Sequence, residues 1–82
     1  MEINANKYEP KDIIKIMRDS TNLTQKEFGK LVNKSGEWVK ANESGKTNYY
    51  FKDLIDLAKK CDIEIIIRQK ILGIKRDFLK FI

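Results

Sequence analysis

The sequence predicts a mainly α-helical fold: a four- to five-helix bundle, then a C-terminal β-strand and an amphipathic tail. Three observations predict it. The chain has 82 residues, which is the length of one domain. Apolar residues recur at helical spacing in successive segments between residues 10 and 61. The pattern then changes to a β-branched run at residues 63–67. We therefore divide the chain into a helical part, residues 1–62, and a strand plus tail, residues 63–82.

The first two helices are marked by their N-terminal residues. Residues 1–9 are polar, and we expect a short irregular arm there. Pro10 suits the first turn of a helix, where its missing N–H costs nothing, and apolar residues then recur up to Arg18. The second helix opens with a capping box, in which the Thr24 hydroxyl accepts from the amide of Glu27 and the Glu27 carboxylate reaches back.

The third and fourth helices are bounded by equally local signals. Ser35 can cap a third helix that runs from Gly36 to about Glu43. Gly45 suits the left-handed position that follows a helix C-terminus. A fourth helix, from about Tyr50 to Cys61, has a strong 3.6-residue periodicity. We expect Cys61, on its apolar face, to be an inert core thiol.

The end of the chain predicts a dimer. Ile63, Ile65 and Ile67 fall on one face of a strand. A lone strand after four helices has no predicted partner within the chain, so a second copy of the strand is the simplest partner. The tail has apolar residues at helical spacing, at Ile71, Ile74, Phe78 and Phe81. We expect a short amphipathic helix there, although Gly73 weakens it.

Composition excludes several classes of function. The chain has no histidine and one cysteine, so structural zinc and a Ser-His-Asp triad are excluded, and we expect no enzyme activity, cofactor or metal. The net charge is +5, which favours a polyanionic partner, nucleic acid before an anionic membrane. The N-terminus lacks the features of a signal peptide, and the longest apolar run is too short to span a membrane. We expect a cytoplasmic protein.

The second and third helices, joined by a tight turn, describe a helix-turn-helix, in which the second helix enters the major groove of DNA. The run Leu23–Gly29, followed by Ser35, Val39 and Glu43–Lys46, resembles the Cro/repressor-type (XRE-like) helix-turn-helix family. The resemblance covers residues 12–63. It implies a structural ion pair between an arginine late in the first helix and the glutamate that closes the recognition helix.

In this chain those two residues are Arg18 and Glu43. Two positions depart from the family pattern. Trp38 stands where the family has a small polar residue, and Asn42 stands where it has a large apolar one. These departures leave open how tightly the third helix packs. They also leave open whether Trp38 is a partly buried core residue or contacts DNA.

The resemblance also implies the DNA contacts, at Thr24, Gln25, Ser35, Gly36, Glu37, Trp38, Lys40, Ala41, Lys46 and Asn48. Gln25 is expected at a phosphate or the groove edge, and Lys46 at a phosphate. Glu37 could accept from cytosine N4, Lys40 could reach guanine or phosphate, and Ala41 could pack on a thymine methyl group.

The leading interpretation is a sequence-specific, double-stranded DNA-binding transcriptional regulator, a dimeric repressor. An alternative is an antitoxin, because a fourth helix running into a strand is similar to the layout of HipB-type antitoxins. The apolar tail would then bind a toxin or another protein partner. A third possibility is a degenerate helix-turn-helix that acts only as a protein-interaction module, since Gly36, Glu37 and Ala41 form a poor reading surface.

Overall fold

The computed structural model describes the backbone of residues 1–71 and 74–80 and the side chains of residues 1–68. This part of the chain is mainly helical, with a small sheet. Its elements are β1 (Glu2–Asn4), a 3-10 turn (Ala5–Lys7), α1 (Pro10–Thr21), α2 (Gln25–Lys30), α3 (Gly36–Glu43), α4 (Phe51–Cys61), β2 (Glu64–Ile71) and β3 (Ile74–Lys80).

The helix termini follow the local signals in the sequence. The Thr24 hydroxyl accepts from the amide of Glu27 at 3.1 Å, and the Glu27 carboxylate accepts from the amide of Thr24 at 2.9 Å. The Ser35 hydroxyl accepts from the amide of Trp38 at 3.1 Å. Gly45 has φ of 82°, the left-handed conformation expected after α3. The capping box, the Ser35 cap and the glycine turn are therefore confirmed.

One hydrophobic core joins the helices and the strands. Its buried members are Ile3, Ile13, Ile14, Met17, Phe28, Val39, Leu54, Leu57, Ala58, Ile63 and Ile65. The list includes residues on both sides of residue 62, so the helical part and the first residues after it bury their apolar surface together.

The N-terminal segment is not the irregular arm that its polarity predicted. β1 pairs in parallel with β2, with Ile3 opposite Ile65. Ile3 is 2% exposed, so burying this one apolar side chain fixes a polar segment onto the sheet. Beyond β1, the side chain of Asn6 continues the pairing. Its Nδ2 donates to the carbonyl of Arg68 at 2.8 Å, and its Oδ1 accepts from the amide of Arg68 at 2.6 Å.

The prediction that β2 has no partner within the chain is wrong. The sheet has the strand order β1-β2-β3, so β2 is the central strand. Ile63 and Ile65 are 1% and 0% exposed inside a single chain, and Ile67 pairs with Leu79 of β3. The apolar face of β2 is therefore used by the core of one chain. Homodimerisation stays a prediction, but Ile63 and Ile65 cannot form its interface because they are buried within one chain.

The tail forms a strand where its periodicity predicted a helix. β3 pairs antiparallel with β2 from Ile71↔Ile74 to Ile66↔Lys80, with a register shift after Ile67. The open backbone edge of β2 offers hydrogen bonds along its whole length, and glycine disfavours a helix interior by about 1 kcal/mol. Pairing with β2 therefore decides the conformation of Ile74–Lys80. Of the residues in the predicted helix, 72, 73, 81 and 82 lie outside the described residues.

Candidate nucleic-acid interface

Two glycines allow α2 and α3 to approach closely. A Cβ atom on Gly29 would lie 2.7 Å from the carbonyl oxygen of Lys34 and 2.8 Å from that of Ser35. A Cβ atom on Gly36 would lie 3.2 Å from the backbone of Lys26. The start of α3 therefore packs on the first turn of α2. Gly36, predicted as a DNA contact, has at least this structural role.

The predicted ion pair fixes α1 against α3. Arg18 Nε donates to Glu43 Oε2 at 2.6 Å and Arg18 Nη2 donates to Glu43 Oε1 at 3.1 Å, which makes the pair bidentate. Arg18 Nη1 also donates to the carbonyl of Leu23 at 3.1 Å. The two side chains are only 20% and 8% exposed. Such a pair is a rigid link between two helices, because both forks of the guanidinium have fixed acceptors.

Gln25 joins this network. Its Nε2 donates to Glu43 Oε1 at 3.1 Å. Burial alone would raise the pKa of Glu43, but hydrogen bonds from Arg18 and Gln25, with the charge of Arg18, outweigh it and lower the pKa of that carboxyl. Gln25, predicted as a phosphate ligand, therefore uses its amide nitrogen to join α2 to the ion pair between α1 and α3.

An exposed stripe runs along α3. Glu37, Lys40 and Ser44 are exposed and Ala41 is half-buried, whereas Val39 and Asn42 are buried on the opposite side. Residues at this i, i+3, i+4, i+7 spacing share one helix face. Three of the predicted base contacts thus lie together on one surface. Ser44, which sequence reasoning missed, lies at its end.

Trp38 lies at the border between this stripe and the core. It is half-buried and packs on the hydrophobic core. The Nζ atom of Lys34 lies 5.8 Å from the centroid of its ring, within the range of a cation–π contact. Trp38 therefore acts as a core residue that also positions a cation from the turn between α2 and α3.

Asn42 does not loosen the third helix. It is 1% exposed, and its Nδ2 donates to the carbonyl of Trp38 at 2.8 Å. Its Oδ1 accepts from the hydroxyl of Thr47 at 3.3 Å. A buried polar side chain with its donor and acceptor satisfied is compatible with tight packing. Asn42, which departs from the family pattern, thus has a polar partner in Thr47, five positions later.

The loop after α3 presents exposed side chains at Lys46 and Asn48. Its backbone is already engaged: the amides of Ser44, Gly45 and Lys46 donate to carbonyls of α3 at 3.0 to 3.3 Å. These amides are therefore not available to an anion. Among the side chains that this loop exposes, that of Lys46 carries a positive charge.

Sequence reasoning missed three residues at this surface. Lys26 lies beside Gly36, and its place in the first turn of α2 could have identified it. Lys34 precedes Trp38 by four residues but lies outside the helix. Tyr49 donates its hydroxyl to the carbonyl of Pro10 at 2.6 Å, a contact across 39 positions that no local pattern indicates.

Metal ligands, the cysteine and membrane-spanning helices are the remaining features of this part of the chain. Among the described residues no group of three or more His, Cys, Asp or Glu side chains could hold a metal ion. Burial raises the pKa of the Cys61 thiol, which disfavours the reactive thiolate. No helix within the same residues has the length and apolar character needed to cross a membrane.

No protein-family profile matches the chain, and no curated protein or solved structure shows significant similarity to it. The resemblance to the Cro/repressor-type family therefore rests on the residues quoted above and stays a prediction.

Proposed function

We propose that the chain is a sequence-specific DNA-binding regulator that places α3 in the major groove. The proposal rests mainly on the exposed stripe of Glu37, Lys40, Ala41 and Ser44. The helix that carries the stripe is fixed to α1 by the Arg18–Glu43 pair and to α2 by the hydrogen bond from Gln25 to Glu43. A rigid helix with one exposed face is what groove reading requires. The net charge of +5 gives the attraction to phosphate.

Three side chains of the stripe, those of Glu37, Lys40 and Ala41, have a matching group on the base edges. Glu37 would accept from cytosine N4, Lys40 would donate to guanine O6 and N7, and Ala41 would pack on a thymine methyl group. Phosphate contacts would come from Thr24, exposed at the start of α2, and from Lys46. We assign Gln25 to the framework because its amide nitrogen is bound to Glu43.

We further propose that two copies bind together as a repressor. The eight residues of α3 rise about 12 Å, which matches only three or four base pairs. Two such helices in successive major grooves, about 34–36 Å apart, would read a palindromic site with adequate specificity. The interface between the copies would lie outside the buried Ile63 and Ile65.

The test begins with selection of duplexes from a randomised pool by the full chain. Affinity for a selected duplex is then measured by fluorescence anisotropy across a range of salt concentrations. We expect affinity to fall steeply with salt, and Lys46→Ala to reduce the slope of log K against log[salt] by about 1. Lys40→Ala should also relax the base preference at one position of the site.

Lys60→Ala is the matched control. Lys60 is exposed near the end of α4. This helix begins at Phe51, after the loop that follows α3, and Lys60 lies nine residues, or about 14 Å, further along it. The Lys60→Ala substitution removes the same charge as Lys40→Ala and should leave the base preference unchanged. Failure to enrich any duplex, or binding that does not depend on salt, would contradict the proposal and favour the protein-interaction alternative.

A further inference from the structure

We infer that Thr47 and Tyr49 are positioning residues, which clamp the loop after α3 so that Lys46 meets a backbone phosphate from a fixed place. The inference rests on the proposed function, because it concerns how that site binds DNA. Neither residue belongs to the exposed stripe of α3, and neither is needed to supply charge. Their hydroxyl groups instead connect the loop to two different helices.

The first clamp joins the loop to α3. The Thr47 hydroxyl donates to Oδ1 of the buried Asn42 at 3.3 Å, and Asn42 in turn donates to the carbonyl of Trp38 at 2.8 Å. The carbonyl of Ala41 accepts from the amides of both Lys46 and Thr47, at 3.0 and 3.4 Å. The backbone of Lys46 is therefore tied to the reading helix itself.

The second clamp joins the loop to the start of α1. The Tyr49 hydroxyl donates to the carbonyl of Pro10 at 2.6 Å, and its half-buried ring packs on the core. Close by, a Cβ atom on Gly45 would lie 3.3 Å from Cδ of Lys11, so the stem of Lys11 covers this turn. The loop is thus held at Thr47 and at Tyr49, with Asn48 between the two clamps.

A loop held in this way lowers the free-energy cost of ordering the interface when DNA binds. Ordering a mobile loop at an interface consumes part of the binding free energy, and a loop that is already ordered avoids that loss. The clamps supply no charge, so cutting them should weaken affinity without removing a phosphate contact. Removing Lys46, in contrast, should remove a phosphate contact and therefore change the slope of log K against log[salt]. This difference separates a positioning role from a direct contact.

The experiment compares Thr47→Val, Tyr49→Phe and the double variant on a selected duplex, each with Lys46 present and with Lys46→Ala. Each clamp variant should weaken binding about three- to tenfold, the effect of a lost hydrogen bond, at an unchanged salt slope. In the Lys46→Ala background the clamp variants should have little further effect. Thr47→Ser keeps the hydroxyl and should bind like the unaltered chain.

Tyr50→Phe is the matched control, because Tyr50 is 79% exposed and adjacent to Tyr49. Hydrogen exchange of the Lys46 and Thr47 amides in DNA-free protein gives an independent readout, and the double variant should exchange faster. Unaltered exchange or unaltered affinity in the double variant would overturn the inference alone. Equal losses with and without Lys46 would also overturn it. Absence of salt-dependent duplex binding by the unaltered chain would overturn the proposed function, and the inference with it.

Discussion

The α2–α3 pair and the pairing of β1 with β2 depend on contacts over very different distances along the chain. The caps of α2 and α3 are bonds between residues three positions apart, such as Thr24 with Glu27. The sheet instead joins Ile3 to Ile65 and Asn6 to Arg68, 62 positions apart. The first region is built from many local interactions. The β1–β2 pairing is built from a few contacts that close the whole chain, whereas β2 and β3 pair residues only 3 to 14 positions apart.

This difference determines how each region should fail. A lost cap removes one hydrogen bond and costs about 1 kcal/mol, while the rest of the helix remains. A lost contact in the sheet opens the core, because Ile3, Ile63 and Ile65 pack in the same cluster as the helices. The sheet should therefore be the more fragile region, although it lies outside the proposed DNA surface.

The largest effect should come from Ile65→Lys. Ile65 is 0% exposed in a single chain, and the variant would bury an ammonium group with no partner. We expect the chain to unfold, since such a change costs more than about 4 kcal/mol. Circular dichroism and urea titration measure this. Tyr50→Lys, at an exposed position, should stay within about 0.5 kcal/mol of the unaltered chain. A folded variant with only a changed oligomeric state would return Ile65 to a dimer interface.

The next effect tests the N-terminal strand. Ile3→Ala should lower the free energy of unfolding by about 2–4 kcal/mol, because it leaves a cavity in the core. Glu2→Ala, at the exposed neighbouring position of β1, should change it by less than about 0.5 kcal/mol. Urea denaturation followed by the fluorescence of Trp38 compares the two. Equal, small effects would mean that β1 adds little to the fold, as expected of an irregular arm.

The same contrast explains what could be predicted from sequence. Helix caps, the Gly45 turn and the Arg18–Glu43 pair depend on short-range patterns or on the spacing of a familiar motif. The pairing of β1 buries Ile3, and nothing in the local pattern of residues 1–9 says which distant strand this residue meets. The helical spacing of the tail was overridden by the hydrogen bonds available at the edge of β2.

For the candidate site, the exposed stripe of α3 follows from helical periodicity once the boundaries of the helix are known. The second function of Gln25 could not be predicted, because one amide can bind either phosphate or a nearby carboxylate. The Asn42–Thr47 bond was also missed. Asn42 alone is a defect in an apolar face, and only its partner in the loop makes it a stabilising feature.

Two ion pairs allow a smaller test within the helices. Glu43→Ala should cost about 2–3 kcal/mol, because it leaves Arg18 without its buried partner. Asp56→Ala breaks an exposed pair with Lys52, of 3.9 Å, and should cost less than about 0.5 kcal/mol. Urea titrations of both variants measure the difference. Equal costs would show that the Arg18–Glu43 pair is no more than a surface contact.

The Arg18–Glu43 pair also predicts a pH dependence. The pKa of Glu43 is lower in the folded chain than its ordinary value. As the pH falls, the unfolded chain therefore binds a proton at this carboxyl before the folded chain does. The stabilisation is complete above the unfolded pKa of about 4.3 and is lost as the pH falls through the folded value. Glu43→Gln should remove this part of the acid dependence of unfolding. An acid profile identical to that of the unaltered chain would contradict the assignment.

The last effect should appear at the opposite end of the pH range, at Tyr49. Burial raises the pKa of Tyr49 to about 12, so the folded chain keeps the phenolic proton that the unfolded chain loses near its ordinary pKa of about 10. Stability should be unaffected below about pH 10 and should decline as the pH rises towards about 12. The decline should be smaller in Tyr49→Phe than in the unaltered chain, and Tyr50→Phe should not reduce it. Urea titrations at several alkaline pH values measure these slopes. If Tyr49 ionised at its ordinary pKa, its phenol would not be buried as the structure places it, and the second clamp would lose the packing that supports it.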